Sequence, residues 1–295
     1  MRFRVLVALL AAPSLALGAP KKKPAAPAPA GSEDAAAKPP PSTKTPSPCG
    51  VKLLPIAVGN TWTYAMVPAP APPDDSIKRI SPAQFDSITI SVKSIDAPKG
   101  GDTVITLEEK TSTDLTKDRS DPKAKKIDEH TYTSTITCNA KKFEISPESF
   151  FFSGEPGGYI GLKLDSIERP KGTSWQLTNG GIGDQQWRED VHMKWTRTPT
   201  EGSEAKLGTG RIELERQFTP QQPEAVSTRV GAYTAEKLGL LTTGRVFLDG
   251  VAADAKPMEL PANWISTLWI APGTGVVQTL DPYAHMYQLT DATLK

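Results

Sequence analysis

Few side chains of this sequence are suited to chemistry, and they form no catalytic or metal-binding pattern. The three histidines are His130, His192 and His285, and none stands at a zinc-ligand spacing from a Cys, an Asp or another His. No Gly-x-Ser-x-Gly turn marks a nucleophilic serine, and neither cysteine lies in a nucleophile's context. The sequence therefore predicts no catalytic residue, no metal, no cofactor and no enzyme activity.

Adjacent carboxylates leave one chemical alternative open. Glu108 and Glu109 are neighbours in the sequence, and so are Asp74 and Asp75. Neighbours on a strand point to opposite faces of the sheet, so neither pair can serve directly as general acid and base. Two carboxylates brought together from distant positions stay open as an alternative.

The only two cysteines are Cys49 and Cys138. In an oxidising compartment, two such residues most simply form one disulfide. The bond would close the 90 residues from Cys49 through Cys138, and the chain-entropy model gives about 4 to 5 kcal/mol for a loop of that length. Two buried free thiols are the alternative, and the lack of a Cys-x-x-Cys motif disfavours a redox pair.

The compartment is predicted from residues 1–18, which have the pattern of a secretory signal peptide. Arg2 and Arg4 precede an apolar run at positions 5–17. We expect signal peptidase to cleave between Gly18 and Ala19, after a small residue. The run is shorter than the roughly 20 apolar residues that span a bilayer, and an uncleaved membrane anchor is the alternative.

Nothing after the signal predicts a membrane attachment. No later stretch approaches the length of a transmembrane helix. Lipid acylation needs a cysteine directly after the apolar run, and Cys49 comes far too late. We expect an exported, periplasmic or extracellular protein that is soluble and not acylated at its N-terminus.

Residues 19–48 are predicted to be a disordered spacer. They contain nine Pro, eight Ala and five Lys, with no Val, Leu, Ile or aromatic residue, so they cannot bury enough apolar surface to offset the entropy of ordering. Removing the two Arg of the signal and the spacer's net charge of +3 from the total of +1 leaves −4 for residues 49–295. Binding of nucleic acid is disfavoured because it needs a basic surface.

Residues 49–295 are predicted to form one β-rich globular domain, because period-two alternation dominates them. In the clearest strand, 187–196, Trp187, Val191, Met193 and Trp195 share one face and Glu189 is the exception. Further strands are expected at 62–67, 87–94, 103–111, 130–138, 142–145, 211–218, 225–230, 234–241, 265–270, 276–280 and 286–289, with a helical turn at 82–86. The fold class is all-β, or β with a minor helix: an antiparallel curved sheet or open half-barrel.

Three short motifs carry a resemblance to a known group. They run from Leu54 to Tyr64 (LPIAVGNTWTY), from Val226 to Leu238 (VSTRVGAYTAEKL) and from Trp269 to Gln278 (WIAPGTGVVQ). They resemble exported, mostly uncharacterised bacterial β-domain proteins with a PLxxGxxWxY opening and an APGxGxV close. That group is similar to the half-barrels of periplasmic lipoprotein carriers. The resemblance implies a concave sheet that can hold acyl chains, and no catalytic residues.

Two functional hypotheses follow. The first is a non-enzymatic cell-envelope domain, a structural or protein-interaction module displayed on a spacer, whose partner is an envelope protein or polymer. The second is a carrier or sensor of a hydrophobic, lipid-like ligand on the concave sheet. For the second, Trp187, Met193 and Trp195 are the candidate ligand face, although core packing explains them equally well.

Overall fold

The computed structural model describes residues 53–69, 85–116, 125–139, 142–154, 162–170, 182–197, 209–249 and 258–295. All of them belong to one compact unit, Lys38–Lys295. The signal peptide, its cleavage position, the spacer and Cys49 lie outside the described residues. Predictions for these segments stay predictions.

Twelve strands form one antiparallel sheet in the described residues, as predicted. The strands are β1 Thr61–Val67, β2 Ser87–Asp96, β3 Thr103–Asp114, β4 Ile127–Cys138, β5 Phe143–Ile145, β6 Leu162–Glu168, β7 Trp187–Arg197, β8 Thr209–Thr228, β9 Gly231–Leu248, β10 Met258–Ala271, β11 Gly275–Leu280 and β12 Met286–Thr293. Their order across the sheet is β5-β4-β3-β2-β1-β12-β11-β10-β9-β8-β7-β6. One helical turn, α1, covers Phe150–Ser153 between β5 and β6.

Apolar and polar residues alternate along the strands, and the sheet therefore has one buried face, which we call the inner face. On β7, Trp187, Glu189, Val191, Met193 and Trp195 are buried, whereas the residues that alternate with them, from Arg188 to Lys194, are exposed or half-buried. The strand predicted at 62–67 is β1, and those predicted at 211–218 and 225–230 join into the single strand β8. We did not predict β6 or α1. The helical turn expected at 82–86 lies mostly outside the described residues, and Phe85 and Asp86 are not helical.

The sheet curves around α1. Hydrogen bonds join the α1 region both to Glu109 on β3 and to Arg216 on β8. These strands stand seven places apart in the sheet order, and a flat sheet would separate them by about 34 Å at the usual strand spacing. One short helix can therefore reach both strands only because the sheet wraps around it.

The two edge strands approach each other, but no ladder joins them in the described residues. Arg169, directly after β6, donates a hydrogen bond from Nη2 to the carbonyl oxygen of Ile145 in β5 at 2.8 Å. The sheet is consequently an open one whose edges are bridged by a side chain. Within the described residues, none of the helices has the length and apolar character that crossing a membrane requires.

Candidate functional site

The inner face is the candidate functional site, and α1 occupies its centre. Ser149 caps the helical turn by accepting a hydrogen bond from the backbone N–H of Phe151 at 3.2 Å. Gly154 ends the turn with a φ of 87°, and a Cβ there would lie 2.7 Å from the Cβ of Asp281. Glycine is thus required both by the left-handed conformation and by the close approach to Asp281.

Three consecutive aromatic side chains of α1 fill the space that the sheet encloses. The ring of Phe150 lies 5.2 Å from that of Tyr64 and 5.7 Å from that of Tyr287, and the ring of Phe151 lies 6.1 Å from that of Trp62. All of these side chains are buried. We call this region, where the inner side chains pack against α1, the filled part of the inner face.

Glu109 holds the beginning of α1 from the β3 side. Its buried carboxylate accepts hydrogen bonds from Ser134 Oγ at 2.6 Å, Ser149 Oγ at 2.7 Å and the backbone N–H of Phe150 at 2.9 Å. Burial raises the pKa of Glu109 above its usual 4.5, although the three hydrogen bonds oppose this effect. Through these hydrogen bonds, the Glu109 carboxylate anchors the helical turn.

Arg216 holds the end of α1 from the β8 side. Its Nη2 donates to the carbonyl oxygen of Phe152 at 2.7 Å, and its guanidinium carbon lies 3.6 Å from the centre of the Phe152 ring. Its Nη1 donates to Glu189 Oε2 at 3.2 Å, while Arg169 Nε donates to the other oxygen of Glu189 at 2.8 Å. Burial lowers the pKa of Arg216 to about 10, and the charge of Glu189 opposes that shift. The guanidinium remains charged at neutral pH.

Sequence reasoning missed this ion pair, but the signal was present. Glu189 interrupts the apolar face of β7, and Arg216 interrupts the face of β8 that carries Leu214 and Phe218. The two residues are direct partners in the β7–β8 ladder. Opposite charges at the same place on two adjacent apolar faces indicate a buried pair, because an unpaired buried charge is too costly.

The structure places Trp187, Met193 and Trp195 together on the inner face of β7, and all three are buried. Trp187 stacks on Phe218 with ring centres 5.0 Å apart, so it belongs to the packed interior. Trp195 lies over Gly210 in β8, where an added Cβ would come within 2.9 Å of the indole ring. Among the residues that the structure describes, none serves as a hydrogen-bond partner for the indole N–H groups of Trp187 and Trp195.

Beyond the Glu189–Arg216 pair, the inner face continues to the far ends of β7 to β10. Ladder partners on this face are Met193 with Ile212, Ile212 with Val246, and Val246 with Leu260. At the far end of this face on β10, Met258 is 56% exposed and Leu260 is 42% exposed. We call this apolar region the distal part of the inner face.

Two histidines of the described residues lie beside a carboxylate. His130 Nε2 lies 3.1 Å from Asp128 Oδ2 on the surface of β4. His285 Nδ1 lies 2.9 Å from Asp281 Oδ2 in the turn between β11 and β12, where both side chains are buried, and the other oxygen of Asp281 accepts from the backbone N–H groups of Tyr283 and His285. This arrangement stabilises the turn. Among the described residues, no three metal-ligating side chains are grouped so that they could hold an ion. His130 and His192 are exposed.

The cysteine prediction is only half covered by the described residues. Cys138 is fully buried at the end of β4 and is not a free thiol. Cys49 lies outside the described residues, so the Cys49–Cys138 disulfide stays a prediction. Labelling of the unreduced, denatured chain with a thiol reagent should find no free thiol, and detection of two would contradict the bond.

Comparison with known proteins gives two similar solved structures. One is a predicted lipoprotein from Parabacteroides distasonis, and the other is a predicted exported protein with a YmcC-like fold from Bacteroides fragilis. Each has 11% sequence identity and a TM-score of 0.42, over 82% of this chain and 99% of the other. No family model matches the sequence, and no curated protein matches it.

Proposed function

We propose that this protein is a non-enzymatic module of the cell envelope, displayed on its Pro-rich spacer, that contacts another envelope component, in the first place a protein. The observation that carries the proposal is the filled part of the inner face. Phe150, Phe151 and Phe152 occupy the centre of the curved sheet, where a carrier would hold its ligand. A domain that fills its own concavity favours contacts made through its surface.

Export is part of the proposal. The signal at residues 1–18, cleavage between Gly18 and Ala19 and the position of Cys49 support a mature protein that is exported, soluble and not acylated. N-terminal sequencing and intact mass of the protein from its native envelope should give Ala19 as the first residue with no added lipid. A mass that includes the signal, or an acyl chain, would contradict this part.

The interaction function is tested by crosslinking in the intact envelope. We expect an amine-reactive crosslinker to join the mature chain to one defined protein or polymer, identified by mass spectrometry. A matched control is the spacer alone, residues 19–48, exported with the same signal, since it retains the lysine cluster but lacks the sheet. Products that also form with the spacer alone, or no products at all, count against the module.

The carrier is a second candidate, because one observation favours it. The indole N–H groups of Trp187 and Trp195 are buried and have no partner within the described parts of the chain, and Trp195 lies in the apolar distal part, which ends at the exposed Met258 and Leu260. A lipid with its acyl chain along the distal part could supply the missing acceptor to Trp195. Native mass spectrometry of protein purified from its own envelope should then retain a lipid, and a ligand-free mass would count against the carrier.

A further inference from the structure

Strand β10 has an open edge. β9 pairs with β10 without interruption from Met258 to Ile270. On the other side, β11 pairs only with the stretch from Thr267 to Ala271. Residues 258–266 therefore have no strand partner on that side among the described residues, and they extend for about 30 Å.

Pro261 determines which backbone groups face this edge. Proline has no N–H, and inside a regular ladder it is tolerated where its nitrogen points away from the neighbouring strand. Pro261 lies within the unbroken β9–β10 ladder opposite Arg245, so its nitrogen faces away from β9. Backbone direction alternates along an antiparallel strand. The N–H groups of Glu259, Asn263 and Ile265 consequently face the open edge together with that of Thr267, where β11 begins.

Two other open stretches of the sheet, on β4 and β8, are protected against strand addition. On β4, residues 127–135 extend beyond β5 and carry two carboxylates: Glu129 forms an ion pair with Lys110, and Asp128 Oδ2 lies 3.1 Å from His130 Nε2. On β8, residues 219–228 extend beyond β7 and contain two prolines and a bulge. Charges, prolines and bulges are the usual means by which an edge is kept from pairing. The open edge of β10 has only Pro261 and one charge, Glu259, which is paired with Arg245 at 3.0 Å.

Apolar side chains flank the open edge on both faces of the sheet. Met258 and Leu260 are exposed at the end of the inner face, and Ile265 is 68% exposed on the outer face beside Leu241. These are four of the seven large exposed hydrophobic residues among those described. A backbone edge with apolar side chains on both sides is suited to an extended peptide whose alternate residues are apolar.

We propose that the open edge of β10 is a docking site for an extended segment of a partner protein, which adds to the sheet as a strand antiparallel to β10. This rests on the proposed interaction function and names its site. The added strand lies in line with β11 and continues the β10–β11 ladder that already exists. The residue of the added strand that lies opposite Pro261 has no backbone donor for its carbonyl oxygen. This missing hydrogen bond determines the register of the added strand.

A second copy of this chain is a poorer occupant of the same edge. Pairing of residues 258–266 with themselves about a two-fold axis at Ala262 places each Pro261 opposite the Asn263 of the other copy. Two hydrogen bonds are lost in this way, one for each proline. The same register places Glu259 opposite the apolar Ile265. A heterologous strand without proline loses only the one hydrogen bond at Pro261 of this chain and need not place an apolar residue opposite Glu259.

The test uses the mature chain, residues 19–295, and a fluorescent nine-residue peptide of alternating Val and Thr flanked by Ser-Gly pairs. Binding is measured by fluorescence anisotropy. Pro261→Ala restores one donor and should tighten binding by about tenfold, whereas Asn263→Pro removes one and should weaken it by about tenfold. Asn263→Ala is the matched control, because it changes the side chain and retains the N–H. Thermal melting should be similar for these three variants, since none of the affected N–H groups faces β9.

Hydrogen exchange locates the peptide. On binding, the amides of Glu259, Asn263 and Ile265 should become protected, whereas those of Leu260, Ala262 and Trp264, which face β9, are protected already. Equal affinities for Asn263→Pro and Asn263→Ala, or protection only outside β10, would overturn the docking site. Absence of peptide binding to every variant would also overturn the docking site. The proposed interaction function would not be affected by that result, because crosslinking in the envelope tests it separately. Dimerisation of Pro261→Ala in sedimentation, with loss of peptide binding, would assign the edge to a second copy.

Discussion

In the filled part of the inner face, side chains from distant strands meet the aromatic rings of α1, whereas the distal part ends at the exposed Met258 and Leu260. The buried pair of Glu189 and Arg216 lies between the two parts. Both parts have the same alternating strands. They differ in what covers the strands: α1 packs on the filled part, whereas no such element covers the end of the distal part among the described residues. The pattern of apolar and polar residues in the strands therefore does not by itself determine which surface is left for a partner.

The polar groups of the two parts differ in the same way. In the filled part, Glu109 accepts three hydrogen bonds, and the guanidinium of Arg216 contacts both Glu189 and the carbonyl oxygen of Phe152. In the distal part, no described residue accepts a hydrogen bond from the indole N–H of Trp195. Satisfied polar groups stabilise a packed interior, and an unsatisfied one costs free energy until something pairs with it.

The largest contrast is expected from deleting one side chain in each part. Phe150→Ala should lower the free energy of unfolding by about 3 to 5 kcal/mol, because it leaves a cavity among Tyr64, Phe85 and Tyr287. Leu260→Ala, in the distal part, should cost less than about 1 kcal/mol because Leu260 is already partly exposed. Urea denaturation measures both. Equal losses would show that the two parts do not differ in packing.

The boundary between the parts should be nearly as sensitive. Arg216→Met leaves Glu189 buried with Arg169 as its remaining cation, and we expect a loss of about 3 kcal/mol in the free energy of unfolding. Arg188→Met is the matched control in the same β7–β8 hairpin, because the Arg188–Glu215 pair is exposed and should contribute less than about 1 kcal/mol. Replacing both Arg216 and Glu189 by apolar residues should cost less than Arg216→Met alone. If the double replacement destabilised the protein more than Arg216→Met does, the explanation by an unpaired buried charge would be wrong.

Much of the sheet could be predicted from the sequence, since alternation is a local property. Strand β7 was placed within one residue of its observed end, and the face shared by Trp187, Met193 and Trp195 was placed correctly. The prediction was weaker where local signals are short. Strand β6 alternates poorly, with a bulge between Leu164 and Ser166, and α1 is a single turn, which is too short for helical periodicity to be visible.

The filled part could not be predicted, because it depends on contacts between residues far apart in the chain. Phe150, Phe151 and Phe152 form an apolar run that fits equally well in a strand. Only the curvature of the complete sheet brings them between Glu109 and Arg216. The open edge of β10 was missed for the same reason: it follows from the unequal lengths of β10 and β11, which the sequence does not display.

A smaller effect is expected at the floor of the distal part. Gly210→Ala introduces a Cβ that would contact the carbonyl oxygen of Phe247 and lie 2.9 Å from the ring of Trp195. Because one of these neighbours is backbone, we expect a loss of about 1 to 3 kcal/mol and a shift in tryptophan emission. Gly239→Ala on β9 is the control, since its Cβ would meet only the flexible end of Gln221 at short range. Unchanged emission would show that Trp195 does not lie tightly over Gly210.

The smallest effect concerns pH, and it belongs to the filled part. Burial raises the pKa of Glu109 in the folded state above its usual 4.5, so the folded protein retains this proton to a higher pH than the unfolded chain. The resulting stabilisation is fully present below about 4.5 and is lost as the pH rises through the folded-state pKa, by about 1.4 kcal/mol for each pH unit that separates the folded from the unfolded pKa. The free energy of unfolding of the native protein relative to Glu109→Gln should therefore fall as the pH rises from 4 to 7. Glu108→Gln, which removes the outward carboxylate of the same strand, should retain this dependence. A difference between native protein and Glu109→Gln that instead grows with pH would mean that the three hydrogen bonds to the carboxylate outweigh its burial.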